Sequence, residues 1–128
     1  MNYRLFENKD YFKYTEWLHS RGRVGPSQDE LSEIGYVIFD DENEYAIGFM
    51  IDSNMACVLG HFASNPKADS KKRSQAVDFL LDLLIEKARE SGYRHALMAT
   101  NLPRLMERLE KRNFVVFEKD MTHYGRTL

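Results

Sequence analysis

The sequence predicts a mixed α/β domain, on three observations. Apolar residues recur at helical spacing in some stretches and run as β-formers in others, and the two patterns alternate along the chain. The clearest helix, from Ser70 to Glu90, stands between two apolar strands, which must then run parallel through a right-handed crossover. Before that crossover, two β-rich runs are separated only by a short acidic turn, which predicts antiparallel pairing. The expected architecture is a mixed sheet with antiparallel N-terminal strands, a parallel central pair and helices on both faces.

Element by element, Tyr3 and Leu5 allow a short first strand, and Asn8 or Asp10 can cap a helix carrying Tyr11, Tyr14 and Leu18 on one side. Gly22 suits a stop, and Arg23-Val24-Gly25-Pro26-Ser27 is a turn-rich connection. Gln28 to Ile34 reads as a short helix ending at Gly35. Tyr36 to Phe39 and Tyr45 to Ile51 form a hairpin around Asp40-Asp41-Glu42-Asn43-Glu44. Ser53-Asn54 turns the chain into a third strand, Met55 to Ala63, which ends at Ser64-Asn65-Pro66 because proline cannot continue a central ladder.

The Ser70 to Glu90 helix presents Val77, Leu80, Leu81, Leu84 and Ala88 on one face. Asp78, Asp82, Glu86 and Glu90 read as a solvated stripe on another, and Gly92 ends the helix. Arg94 to Thr100 is then a strand, and Asn101 can cap a last helix carrying Leu102, Leu105, Met106 and Leu109, with Pro103 in its first turn. Asn113 suits a left-handed stop, after which Phe114 to Phe117 and Met121 to Tyr124 are expected as closing strands.

Whole-chain numbers limit the function classes. A length of 128 residues with no repeat or linker predicts a single domain over 1–128. With 43% hydrophobic and 30% charged residues, the chain has a real core and a polar exterior. Net charge −2 and pI near 6.1 give no global attraction to nucleic acid, so any anion site must be local. No stretch approaches the roughly 20 apolar residues of a membrane helix, and the N-terminal residues lack a signal-peptide core. The lone Cys57 cannot form an internal disulfide. These features predict a reduced, cytoplasmic protein with no membrane partner. His19, His61, His95 and His123 share no ligand spacing, so no metal is expected.

The feature with most chemical content is Lys71-Lys72-Arg73, directly after Ser70 at a helix start. A helix dipole disfavours each cation there by about 0.3–1 kcal/mol, so three together make sense if an anion docks among them. Ser70 can cap this helix. Taken alone, such a run also fits a solvated helix end.

Taken together, the hairpin ending Tyr45-Ala46-Ile47-Gly48-Phe49, the strand ending Asn65-Pro66, the basic helix start, and Asn101 followed by Glu110-Lys111-Arg112-Asn113-Phe114 resemble the GNAT superfamily of acetyl-CoA-dependent N-acyltransferases. The likeness is firmest over residues 35–114. It implies that a Q/R-x-x-G-x-G/A loop holds the diphosphate of coenzyme A, matched in part by Lys71, Lys72, Arg73, Ser74, Gln75 and Ala76. Ser74 and Ala76 stand at the two glycine positions. The resemblance further implies that strands 55–63 and 94–100 separate near their ends, that the pantetheine arm bonds the backbone around Phe62, Ala63 and Ser64, and that Asn101 touches the cofactor.

What the resemblance implies for activity is acetyl transfer from acetyl-CoA to a primary amine of a small molecule or protein. Where many relatives carry a basic glutamate and an acidic tyrosine, this chain has Val58 and Leu109. His61, with a free pKa near 6.5, is the remaining candidate base and Tyr124 the candidate acid, although His61 also fits an ordinary histidine, Tyr124 packing, and Asn101 a plain cap. Cys57, in an apolar strand, reads as an inert core thiol. The alternative function is a catalytically silent GNAT-fold protein that grips a macromolecular partner. The acceptor and the oligomeric state are not legible.

Overall fold

The computed structural model describes residues 1–32, 34–54 and 56–128. Its core is a meander of four antiparallel strands, β1 (Asn2–Leu5), β2 (Ile34–Phe39), β3 (Glu44–Ser53) and β4 (Ala56–Ser64), extended by β5 (His95–Leu97) parallel to β4. Strand order is β1-β2-β3-β4-β5. Three helices complete it, α1 (Tyr11–His19), α2 (Ser70–Glu90) and α3 (Pro103–Glu110). This is the mixed sheet expected from the alternation of periods.

Helices α1 and α2 cover opposite faces because successive strand residues point opposite ways. In β2, Val37 joins Tyr14, Trp17 and Leu18 of α1, whereas its neighbours Tyr36 and Ile38 join Leu80, Leu84 and Ala88 of α2. Leu80, Leu81 and Leu84 are fully buried, each supplying at most roughly 1.5–3 kcal/mol of burial energy. On the α1 side, Phe6, Tyr14 and Phe49 meet edge to face with ring centroids 5.0–6.0 Å apart.

Beside α1 the sheet is pinned by charge. Asp10, 1% exposed, receives both arms of the Arg4 guanidinium at 2.7 Å and the Glu7 N–H at 2.9 Å, and Arg4 also reaches Glu44 at 2.7 Å. Lys13 closes the group on Glu44. Burial alone would raise the Asp10 carboxyl, but the Arg4 fork, the Glu7 N–H and the charges of Arg4 and Lys13 bring it down to about 2.

Several expected elements differ. The helix expected over 28–34 is not found among the described residues: a 3-10 turn covers Gln28–Glu30, and Ile34 already opens β2. Gly35 belongs to that strand because a side chain there would meet the Phe49 ring at 2.4 Å. The expected start of the third strand at Met55 lies outside the described residues, and β4 runs on to Ser64. The strand expected over 94–100 is cut to His95–Leu97. Ser70 is not the cap of α2; Asp69 is, its carboxylate accepting the Lys72 N–H at 3.0 Å. Asn101 does not cap α3 either, since Leu102 holds that position and Thr100 Oγ1 accepts the Leu102 N–H at 3.1 Å. Both closing strands are missing: beyond Asn113, whose φ of 65° ends the helix as expected, residues 114–128 have no regular structure.

Candidate functional site

The sheet opens where β4 outlasts β5. Parallel pairing covers only Ala56, Cys57 and Val58 against His95, Ala96 and Leu97, so β4 from Leu59 to Ser64 has no strand on that side. This is the separation expected between strands 55–63 and 94–100. It coincides with an irregularity in β4, where the register against β3 slips between Ile47 and Phe49 and His61 adopts φ 55°. A left-handed conformation costs a residue other than glycine on the order of 1 kcal/mol or more, so something must hold it. Tyr14, fully buried on α1, donates its hydroxyl to the His61 carbonyl at 2.9 Å. Burial pushes the Tyr14 phenol up to about 12, which keeps this donor protonated.

The His61 side chain is exposed on the bulge. Partial desolvation, then the charge of Arg23, press its pKa below the ordinary histidine value. Its ring is therefore neutral at pH 7 and able to accept a proton. Phe62 turns to the other face and packs over Gly48, where a methyl group would come within 2.7 Å of its ring. Ala63 is buried on the α1 side. Ser64 Oγ accepts from Arg21 at 3.0 Å, and the Phe62 carbonyl accepts from Arg23 at 3.3 Å.

The three cations after Ser70 have separate fates. Lys72 crosses to the β2–β3 turn, meeting Glu42 at 2.9 Å and Asp40 at 3.6 Å. Desolvation works to raise Asp40, but the N–H groups of Asn43 and Glu42, the Tyr45 hydroxyl and the Lys72 charge hold it at about 2. Arg73 folds back under the loop and donates to the carbonyls of Asn65, Pro66 and Ala68 at 3.2–3.4 Å. Lys71 is exposed. Ser74 is taken by α3, since Arg108 donates to its hydroxyl at 2.6 Å and its carbonyl at 3.3 Å. Gln75 is exposed and Ala76 is sealed in the core.

The structure therefore brings Phe62, Ala63, Ser64 and the Lys71–Ala76 turn to one end of β4. Asn101 is exposed just before α3. Tyr124 is not on a strand: it stands 93% exposed in the irregular tail, and no described residue hydrogen-bonds to it. Among the described residues, no carboxylate lies within 4.0 Å of Lys71, Arg73, Arg21 or Arg23. Arg21 is pressed below its ordinary pKa by desolvation and by Arg73 and Arg23. A chain of net charge −2 thus carries a locally uncompensated positive ridge beside an open strand edge.

Sequence reasoning missed Arg21 and Arg23, whose contacts with β4 span about forty residues. It also misread the acidic stripe of α2. Asp78 pairs with Arg108 at 2.5 Å and Arg112 at 3.1 Å, and Asp82 pairs with Arg112 at 2.6 Å. The signal was present as Arg104, Arg108 and Arg112 at spacing four, answering Asp78 and Asp82 at the same spacing. Cys57 is buried, and desolvation raises its pKa, as for an inert thiol. No group of described residues could hold a metal ion, and no described helix is long and apolar enough to cross a membrane.

At the level of sequence the chain matches no protein-family model and no curated protein. Its fold, by contrast, is that of solved acetyltransferases. Glucosamine-6-phosphate N-acetyltransferase from Arabidopsis thaliana superposes with TM-score 0.70 at 15% identity, over 98% of each chain. A ribosomal-protein-alanine N-acetyltransferase from Brucella melitensis biovar Abortus 2308 gives 0.65 at 17% identity over the whole of both chains. An aminoglycoside N-acetyltransferase solved in complex with CoA gives 0.69 at 13% identity, over 98% of this chain and all of that one.

Proposed function

We propose that the chain is an acetyl-CoA-dependent N-acetyltransferase, with a primary amine of a small molecule or protein as acceptor. The observation that carries this reading is the positive ridge of Arg73, Arg21 and Arg23, with Lys71 exposed on the same helix turn as Arg73, along the end of β4 that β5 leaves unpaired. A diphosphate fits that ridge in charge, and the unpaired edge of β4 around Phe62, Ala63 and Ser64 fits an extended amide-bearing arm as an added strand would. Lys72, Ser74, Gln75, Ala76 and Asn101 complete the proposed cofactor contacts, with four qualifications from the geometry: the Lys72 charge is shared with Glu42, Arg73 is bonded to loop carbonyls, the Ser74 hydroxyl is committed to Arg108, and Ala76 is fully buried and reaches no ligand without movement of its neighbours. The fold of solved acetyltransferases, one of them a CoA complex, supports the same reading.

The chemistry asked of the protein is modest. The amine nitrogen forms a bond to the thioester carbon, the C–S bond breaks, the nitrogen gives up a proton and the sulfur gains one. His61, neutral at pH 7 and exposed at the bulge, takes the base role, directly or through water. With Tyr124 on the irregular tail, the thiolate takes its proton from solvent in this chain's own geometry. The thioester supplies the activated acyl group; the protein supplies the ridge, the open strand and the base.

A second reading is favoured by two particular residues. Leu109 is sealed in the core and Val58 is half-buried beside β5, so neither of these positions offers an acid or a base. A silent protein that keeps the fold and grips a macromolecule would show the same pair. Thermal-shift titration with acetyl-CoA and with its dephospho analogue, followed by thiol release over an amine panel, separates the readings. Ligand binding raises the melting temperature according to RT ln(1 + [L]/Kd). Binding with turnover supports the transferase, binding without turnover over a broad panel supports the silent protein, and no shift at millimolar acetyl-CoA ends both cofactor readings.

A further inference from the structure

The cations of the ridge step along β4 toward His61. Arg73 donates to the Asn65 carbonyl at 3.2 Å, Arg21 to Ser64 Oγ at 3.0 Å and Arg23 to the Phe62 carbonyl at 3.3 Å. From Asn65 to Phe62 is a run of roughly 10 Å at about 3.3 Å per residue. A diphosphate at the α2 end meets Lys71, Arg73 and Arg21, which leaves Arg23 at the far end without a counter-charge. His61 is the next residue of the strand. After desolvation, the Arg23 charge is what lowers the His61 pKa, and the same charge acts on the Tyr14 phenol that holds the bulge.

Arg23 is fixed in place and its donors are free. Its own N–H donates to the Leu18 carbonyl at 3.0 Å, Gly22 before it turns at φ 68°, and Gly25 after it lies so close to Leu18 that a methyl group would come within 2.4 Å. The Tyr11 hydroxyl donates to the Pro26 carbonyl at 2.9 Å, so both sides of this turn are fastened to α1. Among the described residues, only Nη1 of the guanidinium has a hydrogen-bond partner. That leaves Nε and Nη2 of an exposed side chain as an open pair of donors, which matches a carboxylate or a phosphate in geometry as well as charge. The acidic β2–β3 turn is engaged elsewhere: Asp40 and Glu42 are paired with Lys72, and Glu44 with Arg4 and Lys13. Among the described residues, no carboxylate lies within 4.0 Å of Arg23 or of the His61 ring.

We propose that Arg23 selects the acceptor, and that the acceptor is an amine carrying an anionic group, a carboxylate or a phosphate, which the open donors of Arg23 hold while the amino group faces His61. This rests on the transferase reading of the site and names its substrate class. A bound anion offsets the Arg23 charge at the imidazole, so the right acceptor strengthens the base that takes its proton. A neutral amine gains neither effect, and a diamine meets repulsion.

The test uses the full chain at saturating acetyl-CoA, with thiol release as the readout. γ-Aminobutyrate is set against butylamine and putrescine, and phosphoethanolamine against ethanolamine, so that each comparison changes the charge and keeps the amine. At least one anionic amine should exceed its neutral partner in kcat/KM by roughly tenfold or more, with putrescine lowest. Which of the two anionic amines leads tells carboxylate from phosphate. Arg23→Gln should bring the ratio to within about twofold of equality, Arg23→Lys should keep part of it, and Lys71→Gln should weaken acetyl-CoA binding with the ratio kept. Proton NMR of His61 gives a readout that needs no turnover: the preferred anionic amine should shift its resonances saturably and raise its pKa, and should do neither in Arg23→Gln. A chain that binds acetyl-CoA and shows that saturation, but turns over no amine, loses the transferase reading and keeps the anion site. Equal rates for anionic and neutral amines, a preference that survives Arg23→Gln, or no saturation of His61 by either anionic amine overturns the proposal.

Discussion

Replacing Tyr14 by phenylalanine isolates one hydrogen bond and asks whether it holds the bulge that presents His61. The ring volume is kept, so no cavity forms and the α1 core should repack without loss. What disappears is the 2.9 Å bond from a fully buried hydroxyl to the His61 carbonyl, in a residue held at φ 55°. A buried hydroxyl's bond to a part-buried carbonyl, once lost, costs about 1–2 kcal/mol. For a chain of this length, an unfolding entropy near 2.1 cal/mol/K per residue converts that loss to a fall in Tm of about 4–7 °C. Urea unfolding should show the midpoint reduced with the slope unchanged. The alkaline limb gives an independent check. With the folded phenol near pKa 12 against 10 unfolded, Tyr14 contributes stability that is present below pH 10 and lost as pH rises through 12. The phenylalanine variant should therefore have a flatter profile above pH 10. If stability changes by less than about 0.3 kcal/mol and the His61 resonances do not move, Tyr14 does not hold the bulge and the argument from buried donor to presented base fails.

Other perturbations read other parts of the structure. Acid titration should show stability contributed by Asp10 that is full above the unfolded pKa of 3.8 and lost as pH falls through about 2; Asp10→Asn should lower stability at pH 7 by about 1–2 kcal/mol after screening of the half-exposed Arg4, and should remove that part of the acid limb in urea melts. Arg23→Ala should raise the His61 pKa, followed by proton NMR, because it deletes the positive charge that helps depress it. Gly48→Ala should cost about 1–3 kcal/mol, since a methyl 2.7 Å from Phe62 and 2.9 Å from Leu80 must displace one of them; an undiminished Tm would show that β3 and α2 are less closely packed than described. Lys71→Glu with Arg21→Glu should weaken acetyl-CoA binding at least tenfold at low salt, with little effect on melting of the free protein; unchanged affinity would remove the ridge from the site.

What the sequence made legible follows from how local each signal is. Helix α2 was readable to its ends because its apolar face, its polar face and Gly92 agree within one segment. The β2–β3 hairpin was readable for the same reason. The cap of α2 was misplaced by one residue because Asp69 and Ser70 are equally good N-cap types, and only the backbone geometry selects the aspartate. The stretch at 28–34 looked helical because Gly35 resembles a helix stop, yet that glycine serves the Phe49 ring across the sheet. In the site, Lys71 and Arg73 could be read from position on a helix, whereas Arg21 and Arg23 could not, because only tertiary folding brings that turn to β4. The tail strands were read from local propensity alone, and in the structure residues 114–128 have no regular structure, because β-forming residues make a strand only where a neighbour supplies the ladder.

The order in which the strands lie has a consequence for synthesis. Because β1 to β4 are neighbours both in sequence and in the sheet, the meander and α1 can assemble from short-range contacts as soon as residue 64 has left the ribosome. The face that awaits α2, with Tyr45, Met50 and Leu59, stays bare until about twenty-six further residues emerge. At translation speeds of about 5–20 residues per second that interval lasts on the order of a second or more, long enough for nascent chains on one polysome to meet through it.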